Sequence, residues 1–150
     1  MPGATVFFTV ALAERGSDLL IREIPLLRAA FHRTVQDRPF RFDAIVILPD
    51  HLHMVMSLPP GDADYATRWR IIKARFSRNL PKGHQRASHV RRGERAVWQR
   101  RFWEHHIRDA ADYAAHVQYC WDNPVKHGLV RDARDWPYSS VHREVKAGRA

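Results

Sequence analysis

The chain has 150 residues, one cysteine and a formal charge of +9, with 25 Lys and Arg against 16 Asp and Glu. The lone Cys120 excludes an internal disulfide and a cysteine zinc cluster, and it suits a reducing cytoplasm. No apolar run approaches the length of a bilayer span and no signal-peptide pattern opens the chain, so the positive balance points to polyanionic partners such as DNA, RNA or an anionic surface.

Length and a hydrophobic content of 45% suit one domain over 1–150 with a real core. Val6–Leu12, rich in β-branched and aromatic residues, predicts a first strand. Ile24, Leu27, Ala30, Phe31 and Val35 fall at helical spacing and predict a helix over Ile21–Val35, ended by Asp37-Arg38-Pro39. Phe42–Leu48 and Leu52–Leu58 predict two strands joined as a hairpin at Pro49-Asp50. Pro59-Pro60-Gly61-Asp62 breaks the chain. Tyr65, Trp69, Ile72, Phe76 and Leu80 then mark a second amphipathic helix, with Asp62 or Asp64 at its N-cap.

The other face of that helix carries Arg68, Arg70, Lys73, Arg75 and Arg78. No acidic residue stands between Asp64 and Glu94, so pairing along the helix does not account for these charges. Either this is a solvated face or it meets nucleic acid. Residues 81–96 read as a basic loop. Trp98–Ile107 interleaves aromatics with Arg100 and Arg101 and predicts a fourth, extended segment, suited to base stacking and phosphate contact. At least one of Phe102 and Trp103 is expected to fill the core instead. Asp109 caps a last helix over Ala110–Asp122, which Asn123-Pro124 is expected to end. The basic tail, about 141–150, reads as an arm or a frayed helix. Strand, helix, strand, strand, helix, strand is the order of a ferredoxin-like α+β sandwich with an antiparallel sheet and both helices on one face.

Two features of this frame carry chemistry. In His51-Leu52-His53 the imidazoles share one strand face, while Leu52, Met54 and Met56 take the other. Such a pair is half of a metal site or merely an outward-facing coincidence. The core helices would bury the Leu/Met face, leaving the histidines on an open one. On the last helix, at about 100° per residue, Tyr113, Val117 and Cys120 form the core stripe. Tyr119 lies on the flank with His116, Asp112 and Asn123, and Asn123 is one turn on from Tyr119. Two imidazoles and an amide oxygen (His51, His53, Asn123) can hold a divalent ion that polarises a phosphodiester. Tyr119 is a workable nucleophile toward phosphorus.

The chain resembles the single-tyrosine HUH transposases, and more closely the REP-associated tyrosine transposases of bacteria. The resemblance rests on Leu48-Pro49-Asp50-His51-Leu52-His53, Gly61-Asp62-Ala63-Asp64-Tyr65 with Arg68-Trp69, and Arg101-Phe102-Trp103-Glu104-His105 with Ile107-Arg108. It continues through His116-Val117-Gln118-Tyr119, Asn123-Pro124-Val125-Lys126-His127-Gly128 and Asp135-Trp136-Pro137-Tyr138-Ser139-Ser140. It implies the ferredoxin-like HUH domain, with His51 and His53 as the HUH pair and Asn123 as third ligand to Mg2+ or Mn2+. Tyr119 would then form a 5′-phosphotyrosine and release a 3′-OH. The implied substrate is single-stranded DNA with a REP hairpin, and the implied setting is a monomer at the bacterial nucleoid, in the cytoplasm. Arg68, Lys73, Arg75, Arg78, Arg100, Arg101 and Lys126 are the candidate DNA contacts.

Family members usually carry a basic arm before the Pro-Gly, whereas here Met1 falls almost at Pro2-Gly3. The chain also stops soon after Ser139-Ser140. A hairpin-binding protein with little turnover is the alternative of a different class. A metal-free two-histidine phosphoesterase fits poorly, because the chain has a single His-x-His.

Overall fold

The computed structural model describes residues 3–81 and 97–146. The expected basic loop, from 82 on, lies outside the described residues, as do residues 147–150 of the tail. Four strands form one sheet: β1 Thr5–Ala11, β2 Arg41–Ile47, β3 His51–Ser57 and β4 Trp103–His106. Their order is β2-β3-β1-β4, antiparallel throughout. That is the ferredoxin-like arrangement read from the element order, with β3 and β1 central.

Alternation along the strands sorts the two faces. Val6, Phe8 and Val10 of β1 join Leu52, Met54 and Met56 of β3 against α2 (Ile24–Asp37) and α3 (Tyr65–Arg78). Leu27, Ala30 and Phe31 of α2 and Trp69, Ile72 and Phe76 of α3 complete this core. Burial of each such side chain is worth roughly 1.5–3 kcal/mol, so this layer carries most of the fold. The first helix follows its apolar spacing from Ile24 but does not run continuously from Ile21. A single turn, α1 (Leu19–Arg22), stops at Glu23 before α2 begins. Pro25 has no N–H to bond the carbonyl of Ile21, so the ladder cannot run through.

The opposite face is not open. The long helix α4 (Ala110–Lys126) packs across it, setting Cys120, Val117 and Tyr113 on Phe7, Ala44, Val46 and Val55, with Trp136 beside them. The core stripe read from helical spacing is therefore correct, but the layer it seals covers the histidine face. His51 and His53 are 7% and 4% exposed rather than free on a bare sheet.

Other expectations need correcting. Asn123-Pro124 does not end the helix, because α4 continues to Lys126 with Pro124 inside it. Proline removes one hydrogen bond, and near a C-terminus little ladder remains to be lost. The stop comes at Gly128, whose φ of +71° closes a Schellman turn through Gly128 N–H to Val125 O and Leu129 N–H to Pro124 O. The fourth extended segment is split. Gln99 N–H bonds Ala11 O, and Trp98, packed on Phe76, bridges Leu12. Only Trp103–His106 forms the strand β4. In the tail, Val141–Lys146 is helical (α5).

Candidate active site and metal centre

The site begins with the hairpin between β2 and β3. The Asp50 carboxylate accepts from Gly16 N–H (2.8 Å), Arg15 Nε (3.0 Å) and His51 Nδ1 (2.7 Å). Burial pushes Asp50 upward, but the Gly16 amide, His51 and Arg15 outweigh it and hold the carboxyl at about 2. A permanent carboxylate on Nδ1 fixes the His51 tautomer and leaves Nε2 as the lone-pair nitrogen. His51 itself is lowered by burial, against the pull of Asp50.

On the adjacent strand Thr9 lies directly opposite His53, and its hydroxyl meets His53 Nδ1 at 2.8 Å. Burial, with His51 and His127 adding to it, brings His53 down to about 3, so its imidazole is neutral. Its Nε2 is buried with no hydrogen-bond partner among the described residues. From α4, Asn123 stands against His53, fully buried. Its Nδ2 donates to Tyr119 O one turn back at 3.3 Å, and its Oδ1 is likewise without a partner. A buried imidazole nitrogen and a buried amide oxygen that stand together without a well-formed hydrogen bond suit a shared cation, since a buried polar group left unpaired costs about 1–3 kcal/mol. The donor set, two imidazoles and an amide oxygen, fits a divalent ion with open positions.

The rings converge. The His51 and His53 centroids are 5.0 Å apart, and His127 lies 5.3 Å from His51. Tyr119, 37% exposed, meets His53 edge to face, and Lys126 Nζ sits 5.0 Å over the Tyr119 ring. The structure thus brings together His51, His53, Asn123, Tyr119 and Lys126.

It does not bring the α3 cations there. Arg68 is 2% exposed and is a structural residue, contrary to its expected place on the DNA face. It pairs with Asp62 (2.9 Å) and donates to the carbonyls of Arg38, Pro39 and Asp64. Arg75 pairs with Asp37 of α2 and donates to Thr34 Oγ1, and Lys73 donates to Gln99 O at 3.1 Å. The acids missing from the helix sequence come from elsewhere in the fold, which the spacing argument could not see. Asp64, not Asp62, caps the helix. Arg78 is exposed at the end of α3, on the other side of the sheet from the histidines, while Arg100 and Arg101 are exposed just before β4.

Sequence reasoning missed Thr9, and it left His127, with His105, His106 and His116, between joining the site and polar surface. Thr9 carries no signal without strand register. His127 follows Asn123 by four residues, a spacing that could have placed it.

A scan against protein-family models finds no match. Similarity to whole proteins is extensive. A Haemophilus influenzae protein named as a REP-associated tyrosine transposase is 47% identical over 97% of this chain and 84% of its own length. The Escherichia coli REP-associated tyrosine transposase is 44% identical over 97% of this chain and 81% of its own. A solved REP-associated tyrosine transposase bound to a REP hairpin superposes with a TM-score of 0.85 at 43% identity, covering all of this chain and 84% of that one. A Deinococcus radiodurans structure at 13% identity and TM-score 0.55, covering 79% of this chain and 89% of that one, shares the fold. With two buried histidines, an amide and a tyrosine in one site on this sheet, and with relatives of this identity and coverage, the chain belongs to the REP-associated tyrosine transposases.

Proposed function

We propose that the chain nicks and rejoins single-stranded DNA at REP-type hairpins, with Tyr119 as nucleophile and His51, His53 and Asn123 holding Mg2+ or Mn2+. The observation that carries the reading is the pair of unpartnered buried acceptors, His53 Nε2 and Asn123 Oδ1, beside the half-exposed Tyr119 ring. The ion, when bound, withdraws charge from a non-bridging phosphate oxygen and neutralises the transition state.

The chain's own residues do the rest. Asp50 and Thr9 orient the two imidazoles through their Nδ1 atoms. The Tyr119 oxygen attacks phosphorus, an O–P bond forms, and the P–O3′ bond breaks. The phenol loses its proton and the departing 3′ oxygen gains one. One phosphodiester bond replaces another, so the 5′-phosphotyrosine can be resolved by the same or another 3′-OH. Lys126, over the Tyr119 ring, places positive charge where the phosphate arrives. Arg100 and Arg101 extend that charge toward β4. Trp103, 57% exposed on the same sheet face, offers a ring for an unpaired base. Tyr119 packs on the His53 ring of its own chain, which supports a tyrosine serving its own histidines, and a monomer is the expected state. The expected setting is the bacterial cytoplasm, and no helix among the described residues is long and apolar enough to cross a membrane.

The test is incubation with single-stranded REP hairpin DNA and Mn2+, followed by a denaturing gel. A covalent adduct that disappears with EDTA, with His53→Ala and with Tyr119→Phe is expected. An adduct that survives Tyr119→Phe would remove the nucleophile assignment. Hairpin binding with no adduct under any metal would favour the binding-only alternative.

A further inference from the structure

A second group of ligating side chains gathers on the same sheet face, beyond Phe7. The Phe7 ring stacks on His53, with centroids 5.6 Å apart, and also meets His116 at 4.8 Å. His105 of β4, with Asp112 and His116 of α4, each places a ligand atom within 4.8 Å of the other two. We propose that His105, Asp112 and His116 form a second divalent-metal site, separate from the histidines of the catalytic reading, that fastens β4 to the tyrosine-bearing helix.

The spacings fit. His105 Nε2 lies 2.9 and 3.1 Å from the two Asp112 carboxylate oxygens, and His116 Nδ1 lies 3.1 Å from one of them. Two atoms bound to one ion at about 2.1 Å each stand roughly 3.0–3.4 Å apart. The two imidazoles are nearly parallel, with centroids 4.5 Å apart and planes 19° apart, so one ring turns for both lone pairs to converge. Both side chains are about a quarter exposed, which leaves room for that turn. His116 Nδ1 now bonds the Asp112 carbonyl at 2.8 Å, and a ligating Nδ1 exchanges that bond for the ion while its proton sits on Nε2.

The donor chemistry selects the ion. Two imidazoles and one carboxylate suit Zn2+, Co2+ or Mn2+ over Mg2+, which prefers oxygen ligands and its own water. The position gives the ion a role. β4 is four residues long and, among the described residues, pairs in the sheet with β1 alone, whereas α4 carries Tyr119 and Asn123. An ion between them joins the strand bearing Trp103 to the first turns of that helix. Without an ion the same three groups still form hydrogen bonds, and the experiment separates these two roles.

The full untagged chain is stripped with chelator and titrated with Zn2+ by calorimetry, and with Co2+ by visible absorption. Wild type is expected to bind two equivalents. His105→Ala and Asp112→Asn are each expected to keep one, His53→Ala to keep one, and His53→Ala/His105→Ala none. The cobalt band should persist in His53→Ala, a comparison that needs no substitution in the proposed site. Far-UV circular dichroism checks that each variant folds. A single wild-type equivalent, lost in His53→Ala and untouched in His105→Ala, would overturn the proposal, as would two equivalents that both survive His105→Ala. A single equivalent lost in His105→Ala and kept in His53→Ala would uphold this site and instead remove the metal from the catalytic reading.

Discussion

The Tyr119 ring stands edge-on to the His53 imidazole, with 5.1 Å between centroids and 74° between planes. The same ring meets Phe7 in a similar way, 5.7 Å away. Its packing therefore belongs to the ring, while the side chain remains over one-third exposed. Tyr119→Phe keeps those ring contacts, so thermal unfolding should show a stability within about 0.5 kcal/mol of wild type, even as DNA cleavage is lost.

Arg68 should behave in the opposite way. Its buried guanidinium satisfies the carbonyls of Arg38, Pro39 and Asp64 and the partly exposed Asp62 carboxylate. Arg68→Ala removes a buried guanidinium together with its hydrogen bonds, and should cost on the order of 1.5–3 kcal/mol in denaturant unfolding. At temperatures where the variant is still folded, the salt dependence of hairpin binding should not change. Arg100→Ala and Arg101→Ala should leave stability near wild type and each reduce the slope of log affinity against log salt by about 1. An Arg68→Ala slope lowered by the same amount would return Arg68 to the DNA face.

Asp50 links the hairpin to the histidines. Asp50→Asn should weaken Mn2+ binding about 10- to 100-fold by calorimetry, since the His51 tautomer loses its anchor. The acid limb of folding offers a second readout. The folded carboxyl, at about 2, lies below its ordinary 3.8. Its contribution to stability is therefore present above about pH 4 and is lost as the pH falls through 2. Asp50→Asn should flatten stability over that interval, measured in metal-free buffer.

Burial pushes the Cys120 thiol up to about 12. The thiolate is the reactive form, so alkylation at pH 8 should be negligible in the native protein and should follow global unfolding as denaturant rises. Rapid labelling without denaturant would mean that α4 opens locally.

Trp103→Ala tests the stacking platform. The side chain is mostly exposed, so the fold should tolerate its loss. Binding to hairpins with an unpaired flank should weaken by about 1–3 kcal/mol, with little effect on a hairpin lacking the flank.

Much of this molecule was legible because short-range patterns carry it. Alternation placed Leu52, Met54 and Met56 inward and the histidines together. Helical phase separated the packed Tyr113 and Cys120 from Tyr119 and brought Asn123 to the same spot. What could not be read depends on register or on distant partners. Thr9 reaches His53 only because β1 and β3 pair Thr9 with His53. Arg68 looked like a surface cation because Arg38, Pro39 and Asp62, its partners, lie outside the helix. The histidine face looked open because spacing shows that a helix has an apolar stripe, not which side of a sheet it will cover. Pro124 looked like a stop because a pre-proline bias is local, whereas the true stop is the Gly128 turn.

One strand edge has a bearing on how the chain is made. The outer side of β2 is paired from within: Ile47 N–H bonds Tyr138 O, Ser140 N–H bonds Ile45 O, and Ile45 N–H bonds the Ser140 hydroxyl. These partners lie more than 90 residues downstream. During synthesis the residues of the proposed site, His51 through Asn123, leave the ribosome before this edge can close. Until then the growing chain carries an unpaired strand beside Ile45 and Ile47, the form most prone to join a neighbouring chain. A polypeptide cut short before Tyr138 would hold every residue of the proposed site and still be at risk of aggregating.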